Sequence, residues 1–182
     1  MKKIYYSDIE TPVGPVWAAI SHNGLMMLNF PCKEKRFLTE VALRSKIVPE
    51  YRPSKLDDLS LWLDDYFKGE THRFKEKLDL RGTAFQKKVW KTIQNVPYGK
   101  LISYGQIARN INNPKASRAV GNSVARNPLA IVIPCHRVIS SSGGLGGFGG
   151  GLPRKRFLLK VEGVLSESEG EPEKSVDLQK FF

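Results

Sequence analysis

Cysteine is nearly absent from this chain: 182 residues hold two, Cys32 and Cys135. No C-x-x-C pair occurs, and the three histidines, His22, His72 and His136, are scattered. Neither a disulfide framework nor a zinc-ligand spacing is present, so no metal and no cofactor is expected. No signal-like apolar segment follows Lys2-Lys3, and no apolar run nears the length of a membrane span. These absences predict an intracellular, cytoplasmic protein with reduced thiols, nuclear if the source is eukaryotic, and no membrane partner. Acidic residues are missing from one region only. Residues 83–163 carry 13 Lys/Arg against a single carboxylate, Glu162, while 1–82 carry 14 against 12 and 164–182 carry 2 against 5. The formal charge of +11 therefore belongs to one segment, the one that holds Cys135. Such a segment points to a polyanion, most simply nucleic acid.

Residues 1–30 read as strands. Segments 3–7, 16–21 and 25–30 have strand character, and His22-Asn23-Gly24 between the last two suits a type I′ turn. A helical pattern runs over 33–47 with Phe37, Val41 and Leu43 among charges, and Ser54 can cap a second helix carrying Leu56, Leu59, Leu63, Tyr66 and Phe67. Residues 1–80 thus form an α+β domain, in which Cys32, beside Pro31, has a structural or incidental role.

A second domain covers 83–163. Thr83-Ala-Phe-Gln86 is a capping-box pattern opening a helix through Val89, Trp90 and Ile93, and Ser103-Tyr-Gly-Gln106 repeats it for a short helix. Asn113-Pro114 supplies a cap and a first-turn proline for a third helix over 115–125. Two short helices joined by a few residues make a helix-turn-helix signature, with Lys115, Ser117, Arg118 and Arg126 on or beside the second. Next, the apolar, β-branched run Leu129-Ala-Ile-Val-Ile-Pro134 reads as a strand that delivers Cys135 where it leaves the core. The glycine-rich loop 140–151 lacks the GKS/T ending of a phosphate-binding loop, but its glycines let backbone approach a ligand closely. Leu152-Pro153 opens a last helix over 154–162, ended by Gly163. An acidic tail, 164–182, follows, with Val176, Leu178, Phe181 and Phe182 able to dock it.

The chemistry centres on Cys135 and His136. In extended backbone neighbouring side chains point to opposite faces, so a direct ring-to-thiol contact is not the expected geometry; a water or a turn has to intervene. Glu162, the lone acid among thirteen cations, is either the group that orients His136 or a solvated residue near a helix end. Lowering the thiol pKa achieves little. A shift from about 8.5 to about 6.5 raises the thiolate fraction at pH 7 roughly 25-fold from about 3%. The accompanying loss of nucleophilicity is roughly 6- to 10-fold, leaving a net gain of about 3-fold. Positioning and leaving-group stabilisation must supply most of the rate.

Pro134-Cys135-His136-Arg137-Val138, preceded by Asn127-Pro128 and by Asn113-Pro-Lys-Ala-Ser-Arg118-Ala-Val-Gly121, resembles the O6-alkylguanine-DNA alkyltransferase family, suicide proteins that move an alkyl group from guanine to their own cysteine. The resemblance spans 83–163 without a gap. It implies an α/β (α+β) protein: an N-terminal ribonuclease-H-like domain, matched only loosely, and a winged-helix-like, helix-turn-helix C-terminal domain. By the same resemblance Cys135 is the alkyl acceptor, His136 its water-mediated base and Glu162 the carboxylate behind that base. Asn127 ties the helix-turn-helix to the active-site turn, and Tyr104 helps rotate the nucleotide and donates to the guanine ring. Arg118 fills the gap left by the flipped base. Gly105, Asn113, Ala116, Ser117 and Ser141 fall at DNA-contact positions, and Val124, Val138, Phe148 and Gly149 at substrate-binding positions. The implied partner is double-stranded DNA, entered through the minor groove by a monomeric protein, with O6-alkylguanine, and O4-alkylthymine too, as the lesion.

The chain departs from the family pattern in places. Phe148-Gly149 stand where some members place Tyr-Ser, which removes a hydroxyl near the alkylated oxygen, and the cysteine and histidine set of the zinc-binding members is absent. A non-catalytic, alkyltransferase-like damage sensor is the alternative, opposed by cysteine rather than tryptophan at position 135. A thiol hydrolase explains neither the helix-turn-helix nor the charge split.

Overall fold

Alternating burial builds a sheet from the first thirty residues. In this computed structural model, which describes residues 2–70 and 73–165, strands β1 (Ile4–Ile9), β2 (Val16–Ser21) and β3 (Gly24–Asn29) form an antiparallel meander. Helix α1 (Glu34–Ser45) follows, and the short strand β4 (Glu50–Tyr51) then pairs parallel with β1, giving the order β3-β2-β1-β4. Phe37 and Val41 of α1 bury themselves against Ile4, Tyr6, Ala19, Met26 and Met27. Each such side chain contributes about 1.5–3 kcal/mol through the water it leaves. Helix α2 (Asp57–Lys68) buries Leu59, Leu63 and Tyr66.

The chain divides into two units. The first takes in residues up to Arg81 together with Pro128–Val132; the second takes Gly82–Asn127 and the chain from Ile133 onward. The short piece 128–132 is held in the first unit by β3, since Leu28 N–H donates to Pro128 O (2.8 Å) and Ala130 N–H to Leu28 O (2.9 Å).

In the second unit, both capping boxes form. Thr83 with Gln86 opens α3 (Ala84–Gln94), and Ser103 with Gln106 opens α4 (Tyr104–Asn110). Helix α5 (Ser117–Ala125) packs on both, and Trp90 Nε1–H donates to Ser123 O at 2.8 Å. Strand β5 (Ile102–Ser103) pairs parallel with β6 (Val138–Ile139), and α6 (Leu152–Val161) closes the described chain. Val164 and Leu165 are buried with Leu101, Ile139 and Leu159, so the first two residues of the expected tail belong to this core. Val176, Leu178, Phe181 and Phe182 lie outside the described residues.

Four local expectations are corrected. The turn at His22-Asn23 is not type I′, because among the described non-glycine residues only Lys46, Asn112 and Ile131 have positive φ. Ser21 Oγ instead accepts Asn23 N–H (3.1 Å), and Gly24 (φ 127°) lies against the incoming chain, with Leu25 N–H donating to Lys77 O (2.9 Å). Ser54 caps nothing. It sits in a 3-10 turn, Pro53–Lys55, and α2 starts at Asp57, where Asp57 and Asp58 complement the helix dipole. Asn113 does not cap α5 through its side chain. Its carbonyl closes a separate turn by accepting Ala116 N–H (3.0 Å), and the helix begins only at Ser117.

The largest correction concerns the run before Cys135. Leu129 makes a single bridge to Leu28, and then the chain turns rather than extending. Ile131 is left-handed (φ 68°), a conformation that costs a β-branched residue about 1–3 kcal/mol. Val132 N–H donates to Ala130 O and Cys135 N–H to Ile133 O, both at 2.7 Å. The second of these is an inverse γ-turn centred on Pro134 (φ −78°, ψ 68°). Residues 128–139 are all buried, and such tight turns satisfy polar backbone that a water-free loop could not.

A Cβ at Gly24 would lie 2.1 Å from the Lys77 carbonyl oxygen, whereas one at Gly147 meets nothing within 4 Å. Gly24→Ala is therefore expected to lose at least about 2 kcal/mol in urea unfolding, and Gly147→Ala less than about 0.5 kcal/mol. Equal effects would contradict the close approach at Gly24.

Candidate active site

The γ-turn at Pro134 feeds Cys135 into a 3-10 turn, Cys135–Arg137, in which all three side chains are buried. This replaces the extended backbone expected there. Successive side chains of such a turn fan out, so Cys135 and His136 serve different surroundings. His136 is directed at Glu162, Nε2 to Oε1 at 2.7 Å. Arg137 grips the same carboxylate with two bonds, Nε to Oε2 and Nη2 to Oε1, each 2.8 Å. Gly99 N–H donates to Oε2 at 3.2 Å, and Arg137 Nη1–H donates to Val96 O at 2.5 Å. Tyr98, whose hydroxyl donates to Val161 O (2.7 Å), places its ring 5.7 Å below the guanidinium. Glu162 is thus the buried orienting group, not the solvated residue that was its alternative.

The protonation states follow. Burial works to raise the Glu162 pKa, but hydrogen bonds and charge from His136 and Arg137 outweigh it and hold the carboxyl well below its usual range. An ionised Glu162 only accepts, so His136 Nε2 carries the proton and Nδ1 is left as the basic nitrogen. Burial lowers the His136 pKa, with the Glu162 hydrogen bond opposing and Arg137 and Lys155 reinforcing, so the resting ring is neutral. Burial likewise pushes the Cys135 thiol up, against a hydrogen bond from Asn127 and the charge of Lys155. At rest the site holds an un-ionised thiol and a neutral imidazole.

The other residues singled out in the sequence gather in this same unit. Asn127 Nδ2–H donates to Ile133 O at 2.8 Å, tying the end of the helix-turn-helix to the turn before Cys135. Tyr104 is half-buried between Gly121 of α5 and Gly146 of the glycine loop, where an added Cβ would lie 3.9 Å and 3.4 Å from its ring and hydroxyl. Burial raises the Tyr104 pKa, and the charge of Cys135 adds to that. Val124 and Val138 are buried. Phe148 is half-buried with the Lys155 ammonium 5.9 Å from its ring centre, and Gly149 is exposed with open space beside it. Gly105 lies in the first turn of α4 and Ser117 opens α5, just after Ala116. Arg118, Asn113 and Ser141 are exposed. Among the described residues no group of three or more His, Cys, Asp or Glu could hold a metal, and no helix is long and apolar enough to cross a membrane.

Lys155 is the residue that reading the sequence missed. It is fully buried in α6, and its ammonium donates to the carbonyls of Val138 (2.5 Å) and Leu145. Helical periodicity held the signal, since Lys155, Leu158, Leu159 and Glu162 stand at i, i+3, i+4 and i+7 on one buried face.

The comparisons with known proteins agree with this geometry. A family model described as "6-O-methylguanine DNA methyltransferase, DNA binding domain" matches residues 84–164, and its companion, "ribonuclease-like domain", matches residues 4–80. The chain belongs to the 6-O-methylguanine DNA methyltransferase family. Among relatives of this methyltransferase family, the methylated-DNA–protein-cysteine methyltransferase of Methanosarcina acetivorans is 45% identical over 160 residues, which is 88% of this chain and 99% of that one. The crystal structure of Mycobacterium tuberculosis OGT in complex with DNA is similar with a TM-score of 0.71 and 41% identity, over 87% of this chain and 92% of that one. The O6-methylguanine-DNA methyltransferase of Pyrococcus kodakaraensis KOD1 gives a TM-score of 0.70 at 30% identity, over 88% and 99%. The mixed α/β fold with a ribonuclease-like N-terminal domain is the fold of this methyltransferase family.

Burial lowers the Lys155 pKa to about 8, with the Cys135 charge acting the other way. Between about pH 8 and the ordinary lysine value of about 10.4, the unfolded chain keeps a proton that the folded protein has released. This group's contribution to stability therefore rises with pH across that window and is lost as pH falls through its folded pKa. Measured by urea unfolding, the stability of the wild type relative to Lys155→Met should grow by about 3 kcal/mol over the window. A difference that stays flat contradicts the buried ammonium.

Proposed function

We infer that this protein repairs DNA by direct reversal, moving an alkyl group from O6 of guanine, or O4 of thymine, to Cys135 once per molecule. The observation that carries the reading is a buried cysteine on a tight turn, next to a histidine held by a buried carboxylate, in a unit whose helix-turn-helix exposes arginine and lysine. The relatives named as methylated-DNA–protein-cysteine methyltransferases support it.

The bond changes balance as follows. The Cys135 thiol gives its proton to His136 Nδ1, by way of a water in the reading carried over from the family, and Glu162 stabilises the imidazolium that results. The sulfur attacks the alkyl carbon, a C–S bond forms, the C–O6 bond breaks, and its electron pair passes into the purine. Tyr104 donates a proton to the leaving guanine ring and regains one through solvent as the His136 imidazolium gives up the proton it took from the thiol, so that both groups end as they began. The positive charge of Lys155 favours the anionic form of the sulfur. The product is a thioether with no leaving group left to expel, so the protein does not turn over.

A sulfur cannot reach a base edge inside the stack, so the nucleotide must leave the duplex at a cost of a few kcal/mol. Arg118 offsets that cost by filling the gap from the minor-groove side, while Gly105, Asn113, Ala116, Ser117 and Ser141 contact the strand. Val124, Val138, Phe148 and the backbone at Gly149 line the space for the flipped base. Asn127 keeps the helix-turn-helix and the reactive turn in one register. The protein works as a monomer in the compartment that holds the DNA, the cytoplasm of a cell without a nucleus. A damage sensor without chemistry is disfavoured by the nucleophile at position 135.

Incubation with duplex DNA containing O6-methylguanine, followed by intact-protein mass spectrometry, is expected to show a gain of one methyl group that saturates at one per chain and is absent in Cys135→Ser. Multiple turnovers or an unchanged mass would refute transfer. Arg118→Ala is expected to slow repair of the duplex by roughly tenfold or more while leaving transfer from free O6-benzylguanine within about twofold. Equal losses on both substrates would contradict its role in the duplex.

A further inference from the structure

Two tight turns of opposite hand precede Cys135. Val132 N–H donates to Ala130 O and Cys135 N–H to Ile133 O, both at 2.7 Å and both two residues back along the chain. The second turn, centred on Pro134 (φ −78°, ψ 68°), is the common inverse form, which a proline ring favours. The first is centred on Ile131 with φ 68°, and turns of that sign are rare and strained. Glycine takes such a backbone freely, whereas a β-branched residue takes it least readily. Isoleucine stands there nonetheless, with its side chain buried (2% exposed).

A conformation of this kind persists only where its surroundings over-determine it. Before Ile131, Leu28 N–H donates to Pro128 O (2.8 Å) and Ala130 N–H to Leu28 O (2.9 Å), so β3 fixes the entry to the turn. After it, Ile133 O accepts from Cys135 N–H and also from Asn127 Nδ2–H (2.8 Å), and the ring of Pro134 locks its own φ. Only Ile131 and Val132 lie between these restraints. The chain reaches the Cys135 turn by the path that φ at 131 selects, and an extended residue at 131 would send it in another direction.

We propose that Ile131 is a positioning residue for alkyl transfer: its left-handed backbone, rather than its side chain, sets where the Cys135 sulfur stands. The side chain serves by being buried, which offsets the strain. The inference rests on the reading of Cys135 as the alkyl acceptor. A displacement of about 1 Å between reacting atoms can cost about a hundredfold in rate. One torsion, four residues before the sulfur, therefore has the leverage to govern transfer without touching the substrate.

Ile131→Gly and Ile131→Ala separate backbone from side chain. Both remove the buried side chain, but glycine alone takes positive φ without strain. Transfer from free O6-benzylguanine is read by protein mass in the cold, with trimethylamine N-oxide added to keep both variants folded. Ile131→Gly is expected to keep its saturating rate within about threefold of wild type and Ile131→Ala to fall about tenfold lower, both with half-saturating concentrations within about twofold. In urea, Ile131→Gly is expected to be at least as stable as Ile131→Ala, the reverse of their usual order. A saturating rate in Ile131→Ala equal to or above that of Ile131→Gly would overturn the proposal, because that is the result packing alone gives. Ile131→Val keeps the branched side chain and most of its bulk, and its rate is expected within about twofold of wild type. A tenfold loss there would overturn the proposal even if the two smaller variants do not fold. A wild type that gains no benzyl group would refute alkyl transfer itself, while the urea order, which needs no substrate, would still judge the strain at 131.

Discussion

One buried carboxylate holds the reactive region together. Glu162 accepts from His136 at 2.7 Å and twice from Arg137 at 2.8 Å, and its side chain is fully excluded from solvent. Removing one partner of such a cluster costs about 3–5 kcal/mol, because a charge is left buried without its counterpart. The arrangement therefore dictates more than a proton path. It sets the tautomer of His136, fixes the 3-10 turn that presents Cys135, and anchors the last turn of α6 to the loop at Gly99. The segment 83–163, with thirteen cations, keeps its single acid where four donors from His136, Arg137 and Gly99 converge.

Position, more than acidity, is what the surrounding chain supplies. Burial raises the Cys135 thiol pKa even with Asn127 and Lys155 opposing it, so the resting thiolate fraction at pH 7 falls below the roughly 3% of a free cysteine. Deprotonation has to coincide with attack, and the neutral His136 ring with its Nε2 committed to Glu162 suits that timing. The backbone is strained to reach this geometry. Ile131 in the left-handed region and the inverse γ-turn at Pro134 compress the approach to Cys135 into a few residues, and the Asn127 side chain closes the excursion at Ile133.

What the sequence made legible, and what it hid, separate along a physical line. Both capping boxes, at Thr83 and Ser103, were readable because a local pair of side chains decides each helix start. The family was legible too, since a specific motif around Cys135 and His136 carried it and the charge split marked DNA as the partner. The run 129–134 misled because β-branched apolar residues score as strand, whereas its pairing with β3 ends at Ala130 and the rest of the run folds into buried turns that only tertiary context specifies. Ser54 and Asn113 failed as caps for a related reason: a proline beside each starts a separate turn before the helix. The role of Glu162 was open because a charge near a helix end says nothing about what faces it. Lys155 was overlooked because a lysine on an apolar face is usually read as a solvated side chain, and its two carbonyl acceptors come from segments remote in sequence.

The thiol itself offers the most direct measurement. In a Cys32→Ala background, so that one thiol remains, the ultraviolet thiolate absorbance of the DNA-free protein can be followed against pH. A Cys135 that stays un-ionised past the ordinary cysteine value of about 8.5 is the result expected if burial and positioning govern the site. A thiolate already formed at neutral pH would contradict it and return the rate to simple activation of the nucleophile.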